Sequence, residues 1–189
     1  MRMQSPVELE QIVAAPRADV VDPRSEAGSG RRLGDLTVDE QRGEALWWVG
    51  VHGGAGESTL ERIFRGTRAS GHRWPVAAAP ARPLVVLVAR TDARGLRAVQ
   101  SAMRDWQSRK LRLQLLGLVL MADAPTRLPR AVRDLQRVVS GGVPHVWTLP
   151  WVESWRAGEV PSRANAPRET ERLLEDLRCA VPMRGPART

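Results

Sequence analysis

The chain predicts an α/β fold, a mostly parallel sheet with flanking helices, on three observations. From Ala45 onward, segments of β type alternate with segments of helical spacing, the signature of a parallel sheet covered by helices. Two of the β-type segments, Leu84–Ala89 and Leu115–Ala122, are continuous apolar runs, as strands buried on both faces should be. Between the first strand and the first helix stands the glycine-rich string His52-Gly53-Gly54-Ala55-Gly56-Glu57-Ser58-Thr59, which reads as a phosphate-binding turn.

In chain order, residues 1–43 mix Pro, Gly, Ser, Asp and Arg around one short apolar piece, Val7–Ala15, and predict a disordered arm with room for one brief helix. The α/β domain is expected over 44–181, with a flexible tail at 182–189. The first strand is Leu46–Val51, and after the glycine loop a short helix runs from about Ser58 to Arg65. His72–Pro83, with Trp74 and its prolines, reads as extended linker or a short edge strand. Leu84–Arg90 suits a central strand, and Thr91-Asp92 offers a cap for a helix over Ala93–Arg109. Leu113–Met121 is the next buried strand. Asp123 or Thr126 can cap a helix over Leu128–Val139, which stops at Gly141-Gly142. Val143–Leu149 is the following strand. Pro150 then opens a turn or short helix carrying Trp151 and Trp155, and Arg168–Ala180 is the last helix, with Leu173, Leu174 and Leu177 inward. There is no internal repeat.

The 189 residues suit one domain with appendages, and their net charge of +8 favours anionic partners: nucleic acid, nucleotides or an acidic membrane surface. Arginine-rich usage fits a GC-rich genome equally well. Seven Trp, one Phe and no Tyr leave the core to Leu, Val and Ala. Cys179 stands alone, which excludes an internal disulfide and a zinc site of several thiolates, and fits the cytoplasm. The apolar runs fall far short of the roughly 20 residues that a spanning helix needs, so no transmembrane segment is expected.

A working P-loop needs glycines so that backbone N–H groups can close on phosphate oxygens, a lysine to neutralise the β- and γ-phosphates, and a hydroxyl to hold Mg²⁺. Gly53, Gly54, Gly56, Ser58 and Thr59 keep the glycines and hydroxyls, but Glu57 stands at the lysine position. Lys110 is the sole lysine; every other basic residue is an arginine. Two unit charges about 4 Å apart interact by roughly 4 kcal/mol at an effective dielectric near 20. The exchange therefore costs several kcal/mol unless Mg²⁺ or an arginine intervenes. Three readings follow. The glycines form a tight turn and Glu57 complements the helix dipole, worth about 0.3–1 kcal/mol. Alternatively the N–H groups of Gly54–Thr59 keep an anion pocket, with Ser58 as the Mg²⁺ or phosphate contact. In the third, the Glu57 carboxylate lies among those N–H groups and imitates a phosphate.

The loop resembles the deviant P-loop of ParA/MinD-type ATPases, which runs Lys-Gly-Gly-x-Gly-Lys-Ser/Thr-Thr. Gly117-Leu118-Val119-Leu120-Met121 looks like that family's Gly-Val-Val-Leu-Asn strand, and Leu149–Pro161 is similar to its loop beside the nucleotide base. The likeness covers roughly residues 45–180 and implies a P-loop NTPase-like (ParA/MinD-like) fold. It also implies ATP or another nucleotide with Mg²⁺, held at Gly53, Gly54, Ala55, Gly56, Glu57, Ser58, Thr59, Pro150 and Trp151, with Ser58 as the metal contact. A homodimer, or a heterodimer with an active P-loop ATPase, is implied in the same way. The departures are His52 at the signature lysine, Glu57 at the Walker lysine, Val51 at the first glycine and Met121 at the base-reading asparagine. No acidic Walker B strand fits between Arg65 and Pro83, and Asp123 is either a substitute Mg²⁺ ligand or a helix cap.

These departures point to a nucleotide-binding or pseudo-ATPase regulatory or accessory subunit with no catalytic residues of its own. The string Trp47–Thr59 together with Trp147-Thr148-Leu149-Pro150-Trp151 also resembles an uncharacterised actinobacterial family of degenerate P-loop proteins, implying a mobile-element, partition or DNA-transfer setting. An active NTPase completed by an arginine in trans is a further reading.

Arg130, Arg133 and Arg137, with Arg127 nearby, recur at helical spacing, and Arg90, Arg94, Arg97 and Arg104 form a second group. Either they are solvated helix faces or, if they face one side, a footprint for DNA or acidic lipid. A basic scaffold that binds DNA or a protein without nucleotide is accordingly the alternative function. His52 is a phosphate ligand or a hydrogen-bonded structural residue. Trp147, Trp151 and Trp155 are core or an aromatic surface for a base or partner.

Overall fold

The computed structural model describes residues 32–39 and 45–180. The elements are β1 (Gly34–Val38), β2 (Leu46–Gly50), α1 (Glu57–Ile63), β3 (Arg68–Ala69), β4 (Arg73–Ala77), β5 (Leu84–Arg90), α2 (Ala93–Arg109), β6 (Gln114–Met121), α3 (Arg130–Ser140), β7 (Val146–Leu149), α4 (Glu153–Arg156) and α5 (Glu169–Ala180). Five strands in the order β3-β2-β5-β6-β7 make an all-parallel sheet. Strands β1 and β4 pair in parallel as a separate two-stranded sheet. The fold is mixed α/β with flanking helices.

The two faces of the large sheet follow from the two-residue period of a strand. Val85, Leu87 and Ala89 of β5 meet Leu96, Val99 and Ala102 of α2 and Val139 of α3 on one side. Val86 and Val88 meet Leu60 and Ile63 of α1 and Leu173 and Leu177 of α5 on the other. In β6 the alternation breaks. A register shift opposite Val85/Val86 lets Leu115 and Leu118, three residues apart, share one face while Leu116 takes the other. Gly117 follows because a Cβ there would come within 2.5 Å of the His145 carbonyl oxygen and 2.6 Å of the Trp147 ring.

The small sheet corrects the expectation of a disordered arm up to residue 43. Gly34–Val38 is a strand, and Leu33 and Val38 enter the core. It is tied to α2 through Asp105, whose carboxylate is buried and accepts from the Trp74 indole N–H at 2.9 Å. Arg109 reaches from Asp105 to Asp35 of β1, at 3.6 and 2.6 Å. The proposed Val7–Ala15 helix and the 182–189 tail lie outside the described residues.

Between Arg65 and Pro83 stand two strands, β3 and β4, where linker or one short edge strand was expected. Asp92 caps α2 as anticipated, accepting the Gly95 N–H at 2.6 Å. Neither Asp123 nor Thr126 caps α3. That helix starts after Pro129 with no side-chain cap, and the Asp123 N–H donates to Thr91 Oγ1 instead. Leu174 is half-buried, unlike Leu173 and Leu177. Because the strands of the large sheet are parallel, the segments leaving β2, β5, β6 and β7 gather at one end. That is where open α/β sheets hold ligands.

Candidate functional site

The glycine loop leaves β2 and turns at His52, whose carbonyl accepts the Ala55 N–H at 3.2 Å. Gly54 (φ 74°) and Gly56 (φ 110°) occupy backbone conformations that L side chains rarely adopt, and Gly56 directly precedes α1. Gly53 and Gly54 face open space, whereas a Cβ on Gly56 would come within 3.1 Å of Met121. Ala55 is buried, Ser58 exposed and Thr59 half-buried.

Glu57 does not point into the loop. Its side chain is buried, and Oε2 accepts the Gly50 N–H at 2.6 Å. His72 Nδ1 lies 2.9 Å from the Gly50 carbonyl oxygen and 3.4 Å from Glu57 Oε1. The cause is local. Strand β3 pairs with Trp47 and Trp48 and stops, so Gly50 has no strand neighbour on that side. Glu57 and His72 supply the missing acceptor and donor. The arrangement needs Gly50 itself, since a Cβ would meet the carboxylate and the imidazole at 2.8 Å. His72 is held at φ 59° to reach. The expectation that Glu57 imitates a phosphate among the loop N–H groups is thus corrected: the carboxylate completes the edge of β2.

His52 is a bracing residue. Its Nδ1–H donates to the Gly53 carbonyl at 2.9 Å and its Nε2 accepts the Arg90 N–H at 3.0 Å. Arg90, the last residue of β5, sends Nε–H to the Gly54 carbonyl at 3.0 Å and an Nη1–H to the Ala122 carbonyl at 3.1 Å. One guanidinium therefore clips the glycine loop to the end of β6. Its pKa is lowered, first by burial and then by the repulsion of Arg156, with Asp123 and Asp92 opposing.

A cleft of about 130 Å³ opens between these groups, lined by Thr59, Arg90, Met121, Trp151, Trp155 and Arg156, with Pro150 in its wall. The Arg156 guanidinium lies over the Trp151 ring, 4.7 Å from its centroid. The Trp151 indole N–H donates to Glu153, and that of Trp155 to Asn165. Among the described residues no carboxylate forms a salt bridge with Arg90 or Arg156, whereas Arg109, Arg130, Arg137, Arg163 and Arg168 all have one. Two cations share a partly enclosed space, and neither is in a salt bridge with a described residue.

Residues 44–171 match the model of a family of unknown function, DUF6668. The chain belongs to that family. The match starts two residues before β2 and runs into α5, and so includes the whole loop and cleft. No curated protein and no solved structure matches the chain.

The structure brings Thr59, Pro150 and Trp151 to the cleft and sets the exposed Gly53 and Gly54 in the adjoining loop and the exposed Ser58 in the first turn of α1, while Ala55 and Glu57 are buried. Trp147 is core, its indole N–H bonded to Asp176. Sequence reasoning missed Arg156 and His72, and grouped Arg90 with the basic helix face. Adjacency of strand ends creates their roles, and no local pattern carries it.

Mg²⁺ in nucleotide sites is held through one or two carboxylates with the phosphates. Glu57, beside Ser58 in the chain, has both oxygens engaged, and among the described residues no group of three His, Cys, Asp or Glu is placed to hold a metal. Glu57 is thus not free to serve the ion expected at Ser58.

Proposed function

We propose that this protein is a P-loop NTPase-like, ParA/MinD-like nucleotide-binding protein that acts as a regulatory or accessory subunit rather than as an ATPase. The observation that carries the reading is the cleft beside the glycine loop, where Arg90 and Arg156 face an anion's place with Trp151 and Pro150 alongside. A volume near 130 Å³ suits one aromatic ring or one phosphate group, with the rest of a nucleotide lying along the exposed Gly53-Gly54 turn. Hydrolysis lacks its means, because the residue at the lysine position is a buried carboxylate turned to Gly50. Equilibrium titration with ATP, GTP and ADP, followed by tryptophan fluorescence and checked by calorimetry, tests the reading. Micromolar binding is expected, with no turnover; the absence of binding by every nucleotide would sink it.

A second reading, a basic scaffold for DNA, has its own support. Helices α2 and α3 pack side by side on one face of the sheet, and Arg94, Arg97, Arg104, Arg130, Arg133 and Arg137 are all exposed on them. Asp134 is the one exposed acid in these two helices, and it lies between Arg130 and Arg137. DNA binding that ignores nucleotide would favour this version.

A further inference from the structure

We infer that Arg90 and Arg156 replace the loop lysine as the charge of this site, and that it takes a phosphate-bearing anion free of Mg²⁺. The inference deepens the nucleotide reading and rests on it for the identity of the whole ligand, but not for the anion. It starts from the place of Glu57: with its carboxylate drawn to Gly50 and His72, the negative charge at the lysine position is removed from the loop's open side. Positive charge enters instead from two other elements. Arg90 comes from the end of β5, its orientation fixed by bonds to Gly54 and Ala122; Arg156 comes from α4, braced on Trp151.

A guanidinium has further N–H donors once two are used, and Arg90 lines the cleft together with Arg156 and Thr59. Burial and then Arg156 disfavour the charge on Arg90, opposed by Asp123 and Asp92, and an anion bound beside Arg90 offsets that cost. Phosphate oxygens suit guanidinium pairs because the planar fork can bond two of them at once. Mg²⁺ would compete with the arginines for the same oxygens, and the carboxylate beside Ser58 in the chain is already engaged by Gly50 and His72.

The test is calorimetric titration of the full chain with ATP and, separately, with inorganic pyrophosphate, each in EDTA and in excess Mg²⁺. Wild type is compared with Arg90→Ala, Arg90→Lys and Arg156→Ala. In EDTA both ligands should bind at least as tightly as with Mg²⁺. Loss of either arginine side chain should weaken them about tenfold or more, and Arg90→Lys should recover part of the loss. Among the described residues Arg156→Ala removes only the stacking on Trp151 and no hydrogen bond or salt bridge, so it remains informative if Arg90→Ala unfolds. Trp151 emission should change on binding in wild type and not in Arg156→Ala. Binding of ATP that requires Mg²⁺, or that survives both alanine substitutions, would overturn the inference and leave the nucleotide reading standing. Arginine-dependent binding of pyrophosphate but not of any nucleotide would do the reverse. No binding of any anion would remove both.

Discussion

The Gly50 N–H lies beyond the last residue of β3, so it must find an acceptor outside the sheet, and Glu57 provides one at 2.6 Å. A substitution that removes this oxygen leaves a buried donor unsatisfied, at a cost of about 1–3 kcal/mol. Glu57→Lys should therefore lower the urea midpoint rather than restore a nucleotide loop, and Glu57→Gln, which keeps a carbonyl oxygen in place, should change stability by about 1 kcal/mol or less. Urea unfolding of the two variants checks this. A Glu57→Lys protein as stable as wild type, with tighter ATP binding, would show that the carboxylate is not part of the strand edge. The same logic applies at Asp105, where Asp105→Ala should cost about 1–3 kcal/mol by stranding the buried Trp74 N–H. Arg109→Ala, which breaks a mostly solvent-screened bridge to Asp35 and a longer one to the buried Asp105, should cost about 1 kcal/mol.

At the scale of elements, legibility followed the length and contrast of the pattern. Strand β5 and helix α2 coincide with the segments read from sequence because an apolar run and a 17-residue amphipathic stretch with an Asp cap each admit one assignment. Strand β3 has two residues and β1 reads Gly-Asp-Leu-Thr-Val; neither carries a period long enough to separate it from loop. The glycine loop and the Pro150-Trp151 turn were legible as local motifs. The guanidinium pair was not, because Arg90 and Arg156 meet only once β5 and β7 are placed in the sheet. The segment after α4 carries its own pH response. Glu159 is held below its ordinary pKa of 4.5 by hydrogen bonds from Asn165 and Ser154, and Glu171 by its hydrogen bond with Arg163. A carboxylate lowered by folding stabilises the native state above its unfolded pKa, and that contribution is lost as pH falls through the folded value. Acidification below about 4.5 should thus loosen the Glu159–Glu171 segment first, releasing Asn165 and with it the Trp155 indole. Fluorescence of wild type minus Trp155→Phe would follow it, and Glu159→Gln with Glu171→Gln should flatten the acid limb.

For the whole molecule, a net charge of +8 raises the local concentration of any anion, so a weak response to polyanions is expected everywhere on the surface and must be separated from the cleft. The two sites differ in their salt dependence. A face that neutralises phosphates of duplex DNA releases counterions, and log K falls with log salt at a slope of about −0.9 per phosphate contacted. Arg130, Arg133 and Arg137 point away from the core, which α3 meets through Val139 with Val132 and Leu135, so exchanging all three for Gln should leave the fold intact. If the α2–α3 face binds DNA, that triple variant should reduce the slope by roughly 2–3, while its affinity for pyrophosphate at the cleft stays within about twofold of wild type. Arg156→Ala should do the opposite, sparing the DNA slope and losing the small anion. A triple variant that loses both ligands together would mean that one diffuse field, rather than a cleft and a face, accounts for the protein's attraction to phosphate.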